Sequence, residues 1–139
     1  RLAPGAHAPT GICWGYENRT AAIRIPGGPP QARRIEHRVA GADANPYLVF
    51  TAILGAALEG IEARELPVDP IVGDAYSHDL PHIASDWGDA ISLFENGKSN
   101  DSIYPDLLKR VFVLTKKQEL DAFAARMTEF EVATYLEVV

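Results

Sequence analysis

Between residues 26 and 30 the chain reads Pro-Gly-Gly-Pro-Pro, and this run limits what can lie on either side of it. Three prolines and two glycines can form neither a helix nor a ladder, so the segment must be a turn or loop. Before it, Thr20-Ala-Ala-Ile-Arg-Ile25 has the β-branched content of a strand, with Ala21, Ile23 and Ile25 on one side and Thr20, Ala22 and Arg24 on the other. After it, Gln31-Ala-Arg-Arg-Ile-Glu-His-Arg38 leads towards a helix. A strand, a Gly/Pro connection and a second strand make a hairpin or two neighbouring strands.

If the second segment is extended, its two-residue period groups Arg34, Glu36 and Arg38 on one face and Arg33, Ile35 and His37 on the other. Two guanidiniums around one carboxylate make a poor core. They suit either a solvated edge strand with a cross-paired ion ladder or an anion site. In the second case Glu36 has the chemistry to hold a divalent metal, and the arginines can grip phosphate or carboxylate oxygens through paired N–H groups. A neighbouring strand adds Arg24, with Arg19 at its entrance. Four positive charges around one carboxylate favour the anion site.

Charge distribution agrees with a local pocket. Residues 1–38 contain six arginines against Glu17 and Glu36, whereas the rest of the chain has seven Lys and Arg against seventeen acids. The net charge is −6, and no broad basic face is expected, which argues against nucleic acid as a partner. At 139 residues, 47% hydrophobic and 23% charged, the chain is one domain's worth of soluble globular protein. A lone cysteine, Cys13, excludes an internal disulfide, fits the reducing cytoplasm and is expected to be a small buried hydrophobe. Arg1-Leu-Ala-Pro-Gly5 lacks the apolar core of a signal peptide, and the missing initiator Met hints at a fragment.

Residues 1–18 read as loop, in which Trp14 and Tyr16 flank Gly15 and can either stack on a purine or pack inward. Asn45 is a good helix cap and Pro46 suits the first helical position, so a helix runs from Pro46 to about Glu62. Being apolar nearly all round, it is expected to be a buried central helix, and too short and interrupted to span a bilayer, which takes about 20 residues. Residues 64–84 read as an irregular connection, where His78 and His82 are separated by Pro81 and give little support to a metal site. Ser85 is placed to cap a helix burying Trp87, Ile91 and Phe94 and ending at Gly97. A short helix after Pro105, another capped by Thr115 with Gln118, and a last one capped by Thr128 with Glu131 follow as scaffold. The fold class is therefore α+β: two or more antiparallel strands carrying the site, then a buried helix and several C-terminal helices.

Three ordered strings, Asn18-Arg-Thr-Ala-Ala-Ile-Arg-Ile-Pro26, Ala32-Arg-Arg-Ile-Glu-His-Arg38 and Ala44-Asn-Pro-Tyr47, resemble the glutamine synthetase family. Within it the chain is most similar to the branch that includes gamma-glutamylpolyamine synthetases. The resemblance covers essentially residues 1–139 and corresponds to the C-terminal portion of the catalytic domain, without the small N-terminal domain or the first half of the catalytic one. It implies an ATP-dependent carbon–nitrogen ligase, with Mg2+ or Mn2+, that activates glutamate as gamma-glutamyl phosphate and joins it to an amine. It further implies a homo-oligomer that is complete only in the full-length enzyme, with no role for membrane or nucleic acid. By matching position, Arg1 and Arg38 would hold glutamate, Arg19 and Arg24 the ATP phosphates and the transferring phosphoryl group, Arg34 the nucleotide, and Glu36 a metal. His7 stands where glutamine synthetases carry a glutamate that binds and deprotonates ammonium. An imidazole attracts ammonium less but can act as a base, which favours a larger amine. Gln31 replaces a lysine often found near ATP. The alternative is a catalytically silent relative that binds a glutamate-like metabolite or a regulatory partner.

Overall fold

The computed structural model describes residues 8–136 and 138. Three short strands, β1 (Trp14–Tyr16), β2 (Ile23–Ile25) and β3 (Glu36–His37), form one sheet in the order β1-β2-β3. Helices α1 (Pro46–Ala63), α2 (Trp87–Asn96), α3 (Lys98–Ile103), α4 (Asp106–Ala124) and α5 (Glu129–Tyr135) follow. The α+β class is as expected.

The sheet is mixed, not simply antiparallel. β2 and β3 are antiparallel, with Arg24 opposite Glu36, whereas β1 and β2 are parallel, with Trp14 opposite Ile23. The segment expected to be loop supplies β1 because both of its edges find partners. Ile23 N–H donates to Cys13 O on one side and Ile71 N–H to Trp14 O on the other. Tertiary pairing of this kind leaves no periodic trace in a three-residue strand. Strand β3 is correspondingly shorter than expected, since Pro30–Ala32 closes a 3-10 turn that takes residues 30–33 out of the ladder.

Two apolar centres hold the chain. Beneath the sheet, Cys13, Ala21 and Ala75 are buried with Ile71 and Leu80 packed against them. Cys13 is thus the small buried hydrophobe expected of it. The 64–84 connection is irregular, as its prolines require, and it closes this centre. Ile12 N–H donates to Pro81 O at 2.7 Å and Ile83 N–H to Thr10 O at 3.0 Å. In the helical centre, α2 lies along α4 and the Phe94 ring meets Phe112 and Tyr104 at centroid separations of 5.3 and 5.4 Å. Buried Ile91, Tyr104 and Val113 complete it.

The helix α1 has the expected span and cap, Asn45 Oδ1 accepting from Tyr47 N–H at 3.0 Å, but it is not buried. Tyr47, Phe50, Leu54, Leu58 and Ile61 are each more than half exposed. Among the described helices and strands only the six-residue α3 packs along it, close to Gly55, where a Cβ would stand 2.6 Å from Ile103 Cγ1. By length and mean hydropathy (1.3) α1 would pass for a membrane-crossing helix. It nevertheless carries Glu59, which accepts a hydrogen bond from Ser102, and its Leu48 carbonyl accepts from Tyr104 OH at 2.9 Å.

Three helix starts differ from expectation. Asp86, not Ser85, caps α2, its Oδ1 accepting from Asp89 N–H at 2.9 Å. Helix α4 runs unbroken through Thr115, whose hydroxyl donates back to Val111 O at 2.9 Å and so cannot cap a new helix. Helix α3 was not foreseen; Asn100 fixes it by donating from Nδ2 to Phe94 O at 2.8 Å. The Thr128–Glu131 capping box forms as expected. Several side chains expected as scaffold are exposed instead: Leu107 and Met127, and also Tyr135 and Leu136, since α5 packs on no other helix or strand among the described residues.

Candidate functional site

Antiparallel partners on one sheet face stand side by side, so the β2–β3 register sets Arg24 against Glu36. Arg24 Nη1 donates to Glu36 Oε2 at 3.0 Å, and Arg38 Nε lies 3.3 Å from Glu36 Oε1. On its other side Arg24 Nη2 donates to Glu17 Oε2 at 3.0 Å, while the Gly27 N–H donates to Glu17 Oε1. The result is a row of alternating charge: Glu17, Arg24, Glu36, Arg38. Arg24 is the most enclosed member, its side chain 13% exposed, against 21% for Arg38, 35% for Glu36 and 59% for Glu17.

Two N–H groups in this row, Arg24 Nε and Arg38 Nη1, are buried without a hydrogen-bond partner among the described residues. A buried guanidinium donor left unpaired carries a desolvation cost that an anion or a water would remove. The Gly27 N–H first, and the Arg24 guanidinium second, pull the Glu17 carboxyl below its usual range. Glu17 in turn is the main reason that Arg24 holds its proton still more firmly than a free arginine.

Glu17 supplies a second carboxylate, so the expected excess of four cations over one acid does not stand. Two acids balance two arginines in the row, and the excess lies at its margins. Arg19 is exposed beside a cleft of about 280 Å³ bordered by Tyr16, Asn18 and residues 70–73. Arg34 is exposed and folds back to donate from Nη1 to Ala32 O at 3.3 Å. Neither makes a salt bridge among the described residues. Arg34 makes no hydrogen bond or salt bridge to Glu36 among the described residues; its guanidinium is turned back to Ala32 instead. Arg1 and His7 lie outside the described residues.

Asn18 opens the first of the family strings without an obvious chemical task, yet the site hangs on it. Its Nδ2 donates to Ile71 O and Gly73 O at 3.0 and 2.9 Å. Its Oδ1 accepts from Thr20 N–H and Thr20 Oγ1–H at 2.9 and 2.6 Å. Thr20 Oγ1 also accepts from Ala75 N–H at 2.8 Å, which ties the Glu17–Arg19 corner to the buried centre. The spacing Asn-x-Thr is a recognisable turn signal and was available for finding it. Gly73 contributes a backbone φ of 85°, a left-handed conformation that side chains other than glycine resist. Trp14 and Tyr16 meet edge to face at 5.3 Å, and Trp14 Nε1 donates to Val68 O at 2.6 Å, so Trp14 is committed to packing.

No group of three His, Cys, Asp or Glu side chains able to hold a metal occurs among the described residues. Glu36 offers one carboxylate, already braced by two guanidiniums, so it fits as one ligand of a cation and not as a complete site. His82 Nδ1 is 3.2 Å from Thr10 Oγ1, a use that needs no metal.

The family model described as the glutamine synthetase catalytic domain matches residues 1–135. The chain belongs to the glutamine synthetase family. Among curated relatives it is 38% identical over 138 residues to the gamma-glutamylethanolamide synthetase of Streptomyces coelicolor, covering 99% of this chain and 29% of that protein. It is 36% identical to the gamma-glutamylputrescine synthetase of Escherichia coli, again over 99% of this chain and 29% of the relative. A ligand-free GmaS structure superimposes with a TM-score of 0.81 at 30% identity, over 94% of this chain and 31% of that one. A glutamine synthetase from Plasmodium falciparum shares the fold with a TM-score of 0.82 at 17% identity, over 97% of this chain and 36% of the other. The chain thus spans about three tenths of the length of the family members it matches, 29% for the first two relatives.

Proposed function

We propose that this chain is the C-terminal part of the catalytic domain of a cytoplasmic ligase that joins an amine to the gamma-carboxylate of glutamate at the expense of ATP. The observation that carries the reading is the charge row, with two enclosed guanidinium N–H groups unpaired beside a carboxylate suited to one metal contact. Phosphoryl transfer is chiefly a matter of holding oxygens in line and neutralising the charge that develops on them, which is what such a row can do.

In this reading Arg24 and Arg19 hold phosphate oxygens of ATP and of the phosphoryl group as the glutamate carboxylate attacks it. ADP leaves and an acyl phosphate remains; the amine nitrogen then attacks the acyl carbon, its proton passes to a base, and phosphate departs. Arg38 and Arg1 bind glutamate carboxylate oxygens, and Arg34 lies at the nucleotide. Glu36 would hold a magnesium or manganese ion, which when bound withdraws charge from the nucleotide phosphates. His7 serves as a base near the amine. A larger amine than ammonia is favoured by His7 in place of an ammonium-binding glutamate; the ethanolamide and putrescine synthetases, at 38% and 36% identity, stand slightly above the glutamine synthetase of Aquifex aeolicus at 34%. The complete enzyme is a homo-oligomer, and the apolar face of α1 is covered within it.

The test is a chimaera in which this chain replaces the matching 29% of the Streptomyces ligase. Phosphate release is followed with glutamate, ATP and, in turn, ethanolamine, putrescine and ammonium. Release that depends on glutamate and on an amine is expected, larger with one of the two organic amines than with ammonium. A folded chimaera that binds glutamate but releases no phosphate would overturn the ligase reading in favour of a silent, metabolite-binding relative.

A further inference from the structure

Glu17 stands at a backbone φ of 50°, in the left-handed region, where glycine, asparagine or aspartate would sit with less strain. The side chain at this position therefore has work that outweighs its backbone preference. Its main chain continues the sheet, Glu17 N–H donating to Ile25 O at 3.0 Å. From there the left-handed turn sends the carboxylate back across the end of β2. One oxygen takes the Gly27 N–H and the other takes Arg24 Nη2, so a single carboxylate fixes both the turn after β2 and the guanidinium that β2 presents.

Among the described residues Arg24 is held from two sides, by Glu17 and by Glu36. If Glu36 gives an oxygen to a cation, its hold on Arg24 weakens, whereas Glu17, which takes no other side chain among the described residues, keeps its hold. We propose, resting on the ligase reading above, that Glu17 is a positioning residue for phosphoryl transfer. Acting through Arg24, it keeps that guanidinium aimed while Glu36 is engaged elsewhere. Glu17 itself touches no reacting atom in this account.

Substitutions can separate this from a merely structural role. Glu17→Gly relieves the left-handed strain and removes the carboxylate. Glu17→Gln can offer its one oxygen either to the Gly27 N–H or to Arg24, and its NH2 group then faces a donor at the other. In the chimaera, both variants should lower kcat at least tenfold while KM for glutamate stays within twofold, and Glu17→Gly should melt no lower than the parent. Glu17→Asp, which restores the charge, should recover part of the loss. In an Arg24→Ala background, Glu17→Gln should cost less than a further twofold. A kcat within twofold of the parent for Glu17→Gln, with Arg24→Ala slowed at least tenfold but still measurable, would overturn the positioning role and leave the ligase reading standing. So would losses that multiply in the double variant, since these would mark a general structural effect. Full activity of Arg24→Ala would instead sink the ligase reading's use of Arg24.

Discussion

Replacing Asn18 by alanine removes four hydrogen bonds at once, two donated to Ile71 O and Gly73 O and two accepted from Thr20. Asn18 is 8% exposed, so water is poorly placed to substitute for the lost amide. A typical internal hydrogen bond contributes about 1 kcal/mol net, and stranding an enclosed partner costs about as much again. The four bonds share partners, so simple addition overstates the total; about 3 kcal/mol is a reasonable expectation, in the upper part of the range for point substitutions. For a domain of this size each kcal/mol moves Tm by about 4 °C, so a fall of about 12 °C is expected in thermal unfolding followed by circular dichroism. Asn18→Asp is the sharper probe. It keeps both bonds from Thr20 but aims a carboxylate oxygen at two carbonyls, so at neutral pH it should lose at least as much as alanine. A fall of less than about 3 °C for both variants would refute the assignment of Asn18 as the tie between the site and the buried centre.

Gly55→Ala should destabilise by about 1–2 kcal/mol despite alanine's better helix propensity. The new Cβ would stand 2.6 and 2.8 Å from Ile103 Cγ1 and Cγ2, so the effect should turn stabilising in an Ile103→Ala background, as read by urea unfolding. Glu36→Ala in the chimaera should abolish metal-dependent phosphate release, and near-normal rates would remove Glu36 from any ligand role. Glu17 gives a pH dependence of known sign: its folded pKa lies below the ordinary 4.5, chiefly through the Gly27 N–H. Its contribution is therefore fully present above about 4.5 and is lost as pH falls through the lowered value. The Gly27 amide should lose hydrogen-exchange protection over that acid range, and in Glu17→Gln this dependence should disappear.

The strings around Arg24 and Glu36 were legible because a two-residue period and a Pro/Gly turn are local signals, and a pairing of β2 with β3 follows from them. Helix α1 was equally legible from Asn45-Pro46. What escaped notice was non-local. β1 is a strand only because Ile23 and Ile71 come to its two edges, and α4 is continuous only because Thr115 spends its hydroxyl on Val111 O. β3 came out shorter than expected because period-two reasoning assumes an extended backbone, and Pro30–Ala32 is a 3-10 turn. Glu17 was missed for a related reason: its reach to Arg24 and Gly27 depends on a left-handed residue, which composition does not reveal in a glutamate. Burial of α1 was inferred from apolarity alone, whereas burial also requires a partner surface, and α3 is too short to provide one.

The charge row also explains why so small a sheet keeps a definite register. Sliding β3 by one residue would set Ile35 or His37 opposite Arg24 in place of Glu36 and invert every side chain of the strand. Arg24, with a side chain 13% exposed, would then keep only Glu17 as counter-charge, and Glu36 would turn with Arg38 to the face away from Arg24. The backbone adds a second lock, since Arg38 N–H donates to Ala22 O at 2.9 Å beyond the end of the ladder. Two ladder pairs and a loop of three prolines could not by themselves exclude the slipped arrangement; the alternation of Glu17, Arg24, Glu36 and Arg38 does. Any anion that takes the free N–H groups of Arg24 and Arg38 therefore meets donors whose positions the fold has already fixed, and little further ordering of those two side chains is left for binding to supply.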